Sequence, residues 1–190
     1  MDKAQLAAME KAPLGYAAKI RDKIETLLEA HYRETFEKWL ETERIVCMPY
    51  FHLRPSIHPA TYTDIYARSL YAAEDGDMNK LEQKLVVELT ALPNVRWWHR
   101  NIAKQDFAIN GFIKHYPDIL IMTKSGKLIC AETKGDHLKN DNSREKIALG
   151  QAWRTAAGKD FRYYMVFENE ENLLPGAMSM SQFIDTVKAL

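Results

Sequence analysis

The stretch Tyr116–Asp136, YPDILIMTKSGKLICAETKGD, reads as two apolar strands, DILIMT and KLICAETK, around a turn at Ser125-Gly126. Side chains alternate along a strand, so Leu128, Cys130, Glu132 and Lys134 share one face, and Ile129, Ala131 and Thr133 share the other. The register of the hairpin decides where Asp118 falls. A two-residue Ser-Gly loop separates Asp118 from Glu132. A three-residue turn of Lys124, Ser125 and Gly126, with Gly126 left-handed, sets Asp118 directly opposite Glu132 on the same face.

Two carboxylates and an ammonium on one patch at the end of a buried hairpin suit a hard divalent cation. Asp and Glu oxygens match Mg²⁺, or Mn²⁺ in its place, and such an ion keeps waters that a phosphate displaces. Lys134 beside it would steady a metal-bound water or the charge developing on phosphorus. The chemistry to which these residue types point is phosphodiester hydrolysis.

Working outward, the N-terminal stretch carries Ile20, Ile24, Leu27, Leu28, His31, Phe36, Trp39 and Leu40 at helical spacing, which predicts a long amphipathic helix. The proline-rich segment CMPYFHLRPSIHP from Cys47 reads as an extended connector. A short helix is expected from Ile65 to Leu70, capped by Thr61 or Thr63. Glu74-Asp75-Gly76-Asp77 marks a domain boundary, giving a helical extension over 1–75 and a core over 76–190. Within the core the pattern predicts a helix over 79–92, a strand in NVRWWHR, a strand or loop in FAINGFI and then the hairpin. A helix over 143–157, the strand FRYYMVF and a final helix over 182–190, capped by Ser179 or Ser181, complete it. The order α-β-β-β-α-β predicts an α/β core with a mixed sheet flanked by helices.

Pro117-Asp118 followed by Glu132-Thr133-Lys134 resembles the PD-(D/E)XK motif of the restriction-endonuclease-like nuclease superfamily. The phrases WWHRN, YPDILIMT, AETKGDHLKNDNSREK and FRYYMVFE resemble the C-terminal nuclease domain of type III restriction (Res) subunits and related helicase-nuclease proteins, over residues 57–168. The resemblance implies a restriction-endonuclease-like core acting as a Mg²⁺-dependent endonuclease on DNA. It implies that Asp118 and Glu132 bind the ion, with the Thr133 carbonyl as a further ligand, and that Lys134 positions or activates the attacking water. Many members carry another acidic residue on the first core helix. Glu82, on the stripe of Leu85, Val86 and Leu89, is the candidate, although Asn79-x-x-Glu82 also fits a capping box in which Glu82 only closes the helix start.

Other residues have bland readings beside sharp ones. Trp97 and Trp98 are consecutive on a strand, so only one of them faces the core beside the site. His99, Arg100 and Asn101 are candidate DNA-phosphate contacts or an ordinary polar strand surface. His115 and His137 flank the carboxylate pair and read as metal ligands or, as is commoner for a lone His near a strand end, as surface residues. Gln151 either orients water or substrate or is a solvated helix position. Lys139, Arg144 and Lys146, in a loop nearly balanced by Asp136, Asp141 and Glu145, are candidate contacts along a DNA backbone.

Composition narrows the partners. Lys and Arg number 26 and Asp and Glu number 26, a net charge of +0, which excludes binding of nucleic acid by bulk positive charge. Hydrophobic residues make up 46% and aromatic residues 11%, enough for a core. The start MDKAQ is polar, and no apolar run approaches the roughly 18 residues that span a bilayer, so the expectation is a cytoplasmic protein without membrane contact. Cys47 and Cys130 are too isolated for a zinc or redox motif and read as buried thiols. The chain lacks a Walker-type phosphate loop, so a partnership with a helicase, translocase or restriction-modification subunit requires another chain or region to supply ATP-driven motion. The N-terminal helix is a docking surface for such a partner or for a homodimer. A fold retained without catalysis, as a nucleic-acid-binding or assembly module, is the alternative.

Overall fold

The computed structural model describes residues 12–63 and 66–190. The chain divides into two compact units, Met1–Val46 and Cys47–Leu190. In the first, helix α1 (Pro13–Glu41) begins with a proline, whose missing N–H costs nothing in a first turn. It ends at Thr42, whose hydroxyl and N–H both return to the Lys38 carbonyl, at 2.7 and 3.0 Å. The helix buries none of its own residues.

In the second unit, β1 (Tyr62–Thr63) pairs antiparallel with β2 (Glu74–Asp75). The boundary expected at 74–77 therefore falls inside this unit, which begins at Cys47. The short helix expected over 65–70 is not formed across 66–70, while residue 65 lies outside the described residues. Arg68 takes φ 63°, which no helix accommodates, and the segment bonds to its neighbour instead. The Trp98 N–H donates to the Arg68 carbonyl at 2.9 Å, and the Leu70 N–H donates to the Trp98 carbonyl at 2.8 Å.

Helix α2 (Lys80–Ala91) starts at Asn79, whose side chain accepts from the Leu81 and Glu82 amides. Strand β3 (Val95–Arg100) follows, and FAINGFI folds as a small hairpin of β4 (Ile109–Asn110) and β5 (Lys114–His115). Then come β6 (Ile119–Thr123), β7 (Leu128–Lys134), a 3₁₀ turn at Asp136–Leu138, and α3 (Asp141–Ala157). After β8 (Phe161–Phe167), a short strand β9 (Ala177–Ser179) leads into α4 (Met180–Lys188). Strand β9 has too few residues to show periodicity, and the last helix starts two residues before its expected position. Ser179 is its cap, completed by Gln182 as a capping box.

The sheet order is β3-β6-β7-β8-β9. The first two pairings are antiparallel and the last two are parallel, so the sheet is mixed. Parallel entry of β8 follows from the crossover through α3. On one face Leu85, Val86 and Leu89 of α2 and Phe183 and Val187 of α4 pack with Trp98, Ile119, Ile121, Ile129, Ala131 and Val166. Val95 and Trp98 both reach this core because the β3 register shifts between Val95 and Trp97; an even alternation would separate them. Trp97, facing the other way, lines an apolar cleft with Tyr50, Phe51, Met122 and Phe161. Helix α3 covers the second face through Ile147, Leu149 and Trp153. Cys130 is buried and Cys47 only half-buried, both as free thiols. Among the described residues, no helix is long and apolar enough to cross a membrane.

Candidate active site

The β6–β7 hairpin closes in the register that a three-residue turn requires. Ile119 pairs with Ala131 and Met122 with Leu128, which brings Asp118 opposite Glu132. Gly126 takes φ 84°, the left-handed value that ends such a turn.

Asp118 precedes β6 and is held from both sides. Its Oδ2 accepts from the Thr133 amide at 2.8 Å and from the Thr133 hydroxyl at 3.0 Å. Its carbonyl accepts from the Asn101 amide at 2.9 Å and from Arg100 Nη1 at 3.1 Å. The Asn101 side chain donates to the Phe107 and Pro117 carbonyls, fixing the chain just ahead of Asp118. Thr133 thus acts on the site through its amide and hydroxyl.

Glu132 is 1% exposed. Its Oε1 accepts from Lys134 Nζ and from Lys146 Nζ, each at 2.8 Å. Its Oε2 is buried without a hydrogen-bond partner. The nearest base is His115, whose Nε2 lies 3.8 Å from Oε2 and 3.0 Å from the Tyr163 hydroxyl. Burial and then the Lys146 and Lys134 charges, against Asp118, push His115 down to about 3. It is neutral near pH 7, so its approach to Glu132 is no ion pair. The surface position expected for His115 is corrected: β5 turns the ring inward under Tyr163, whereas His137 is exposed as expected.

Glu82 is held at the start of α2 by the Asn79 side chain and faces inward. Its Oε1 accepts from Asn79 Nδ2 at 2.7 Å, closing the helix start, while the side chain is buried on the core side of α2. Its Oε2 lies 3.2 Å from Arg100 Nε, a charge contact that leaves both atoms without a hydrogen bond.

Burial and neighbouring carboxylates raise Glu82 and Asp118. Glu82 is pushed up to about 7 by burial first and then by Asp118, with Glu132 adding and Arg100 and Asn79 opposing. Asp118 is raised by burial and then by Glu132, against the Thr133 amide, Arg100 and Lys134. Burial works against the Lys134 charge, but Glu132 and Asp118 outweigh it, so Lys134 is held above its ordinary value.

The structure therefore gathers Glu82, Asp118, Glu132, Thr133, Lys134, Arg100 and Lys146. It does not bring in the other candidate contacts. Lys139 is taken up by Asp136, the Glu171 carbonyl and the face of Phe167. Arg144 is exposed beside Asp141, and Gln151 is half-buried on α3 without a hydrogen bond to the acidic group. His99 and Asn101, considered as DNA contacts, are instead buried. His99 bridges Glu74 Oε2 at 2.7 Å and Asp106 Oδ2 at 3.3 Å, and Arg54 clamps Asp106 from outside. Neither the inward turn of Lys146 nor the service of Arg100 to Glu82 leaves a sequence signal, because both contacts join separate elements.

Among the described residues, no three His, Cys, Asp or Glu side chains are gathered as a metal-enclosing group. Glu132 Oε2 and Glu82 Oε2, buried without hydrogen bonds, are hard oxygen donors of the kind a divalent cation takes. Comparison of the chain with family models, with curated proteins and with solved structures finds no match.

Proposed function

We propose that this protein is a Mg²⁺- or Mn²⁺-dependent endonuclease of the PD-(D/E)XK type that hydrolyses DNA phosphodiester bonds. The observation that carries the reading is the placement of Asp118 opposite Glu132 with Lys134 Nζ on the Glu132 carboxylate. The succession α2, β3, β6, β7, α3, β8, with β8 parallel to β7, supports a restriction-endonuclease-like core.

Asp118 and Glu132 would hold the ion, with Glu82 beside them. When bound, the ion supplies Lewis acidity and an acidified water. Thr133 keeps the Asp118 carboxylate in one orientation, so its position costs little reorganisation. Lys134 places a positive charge beside Glu132, where an attacking water and the phosphorus oxygens would meet it. Arg100 offsets the buried charge of Glu82. With balanced total charge, the chain suits a cleavage module whose DNA is delivered by a helicase, translocase or restriction subunit.

The test is cleavage of plasmid and linear DNA with Mg²⁺, Mn²⁺ or EDTA. Wild type is expected to cleave only with metal, and Asp118→Asn and Lys134→Met are expected to lose at least about a hundredfold in rate. Equal rates in wild type and both variants would refute the proposal.

A second reading, compatible with the first, concerns α1. Ile20, Ile24, Leu27, Leu28, Tyr32 and Trp39 are all exposed along one broad stripe. Lys19, Arg21 and Lys23 against Asp22 and Glu25 leave its first half positive, and Glu29, Glu34, Glu37 and Glu41 against Arg33 and Lys38 leave its second negative, so two copies pair best antiparallel. Sedimentation of the full chain should show a dimer that Ile24→Glu and Leu28→Glu dissociate; a monomeric wild type rejects it.

A further inference from the structure

Lys146 has no part in the hydrolytic scheme above, yet it lies at its centre. It projects from the second turn of α3, whose start is fixed by Asn140 accepting from the Ser143 amide and by the Ser143 hydroxyl donating to the Leu138 carbonyl at 2.6 Å. Its Nζ and that of Lys134 approach the same atom, Glu132 Oε1, at 2.8 Å each. One carboxylate needs only one cation for neutrality. A second on the same oxygen, while Glu132 Oε2 has no hydrogen-bond partner, is a poor structural ion pair, because like charges gathered on one atom repel.

The surrounding charges give the second lysine a different meaning. The acids Glu82, Asp118 and Glu132 are matched by Arg100, Lys134 and Lys146. A divalent cation brought to these carboxylates adds two positive charges, and one resident cation must give way. Arg100 is pinned by the Asn101 and Asp118 carbonyls as well as by Glu82. Lys146, partly exposed on a flexible four-carbon stem, holds Glu132 alone among the acids and is free to swing.

We infer that Lys146 is a competitor for the metal-binding oxygen of Glu132, displaced when a divalent cation takes that carboxylate, and that the displaced ammonium then binds a phosphate of the substrate. The inference rests on the nuclease reading and adds to it a charge exchange that couples metal binding to phosphate binding.

The experiment is calorimetric titration of Mn²⁺ into the full chain as wild type, Lys146→Met and Lys146→Arg, each checked for folding by its thermal midpoint. Lys146→Met, which keeps the stem and removes the charge, is expected to bind Mn²⁺ roughly tenfold tighter, the worth of one charged hydrogen bond. Lys146→Arg should stay near wild type. Unchanged or weaker Mn²⁺ binding in Lys146→Met overturns the competition and leaves the nuclease reading intact. Failure of every form to bind Mn²⁺ overturns both. In a second arm, with Ca²⁺ in place of Mn²⁺ so that cleavage does not interfere, fluorescence anisotropy with a short duplex should show Lys146→Met binding roughly fivefold weaker than wild type. Equal affinity removes the phosphate-binding half of the inference.

Discussion

Thr133 donates twice to one oxygen of Asp118, from its amide at 2.8 Å and from its hydroxyl at 3.0 Å, and so joins the two strands of the hairpin at the acidic group. Thr133 faces away from Glu132 along β7, yet it fixes the carboxylate that lies opposite Glu132. The residue between Glu132 and Lys134 thus fixes the orientation of Asp118.

Thr133→Val should keep the amide bond and lose the hydroxyl bond. The expected cost is about 1 kcal/mol in stability, read from urea denaturation, because one partly buried hydrogen bond to a charged acceptor is removed. Mn²⁺ affinity should fall several-fold with it. A variant that melts as wild type and binds metal equally well would show that the hydroxyl does not orient Asp118.

The raised position of Glu82 makes metal-free stability depend on pH. A carboxylic acid whose folded pKa exceeds its unfolded value stabilises the fold fully below the unfolded value, and that contribution is lost as pH rises through the folded one. With Glu82 pushed up to about 7, the denaturation midpoint in chelator should fall as pH rises from about 5 to about 8. His99, also raised, adds a loss of the same sign. Glu82→Gln isolates the carboxylate: its profile should be flatter than wild type, and an identical slope would exclude Glu82 as the source.

The buried His99 cluster should be the most costly to disturb. Burial opposes its charge, but the bonds to Asp106 and Glu74 prevail, and Arg54 holds Asp106. Removing Asp106 leaves His99 and Glu74 buried without it. Asp106→Ala should lose about 3–5 kcal/mol in urea denaturation, the cost of an uncompensated buried charge. A loss below about 1 kcal/mol would mean that water or Arg54 takes over the site.

Gly150 on α3 gives the Tyr163 ring its room. A Cβ at this position would lie 2.1 Å from the ring, and the buried ring has little space to retreat. Gly150→Ala should destabilise by about 1–3 kcal/mol, despite the better helix propensity of alanine, and should disturb the Tyr163–His115 contact. A stabilised variant would show that the α3 packing adjusts.

Much of the hairpin was legible because it is local. Alternation placed Glu132 and Lys134 on one side, and a glycine able to take positive φ at position 126 set the register that aligns Asp118. The caps at Asn79 and Ser179 could be read for the same reason, since cap and amide lie within three residues. The segment 66–70 misled because its backbone bonds to β3, and no local propensity records that partner. His115 and His99 looked like surface polar residues. Their burial depends on Tyr163 in one case and on Glu74 and Asp106 in the other.

By itself the sequence determined the main core elements, their order and the shared face of Glu132 and Lys134, because backbone geometry converts residue spacing directly into side-chain direction over a few residues. Only the tertiary structure decided which cations answer those acids. Arg100 reaches Glu82 from a neighbouring strand, and Lys146 reaches Glu132 from a helix beyond the end of β7. Such contacts depend on how elements pack, and the electrostatic balance of a buried site is set by distances that sequence spacing does not contain.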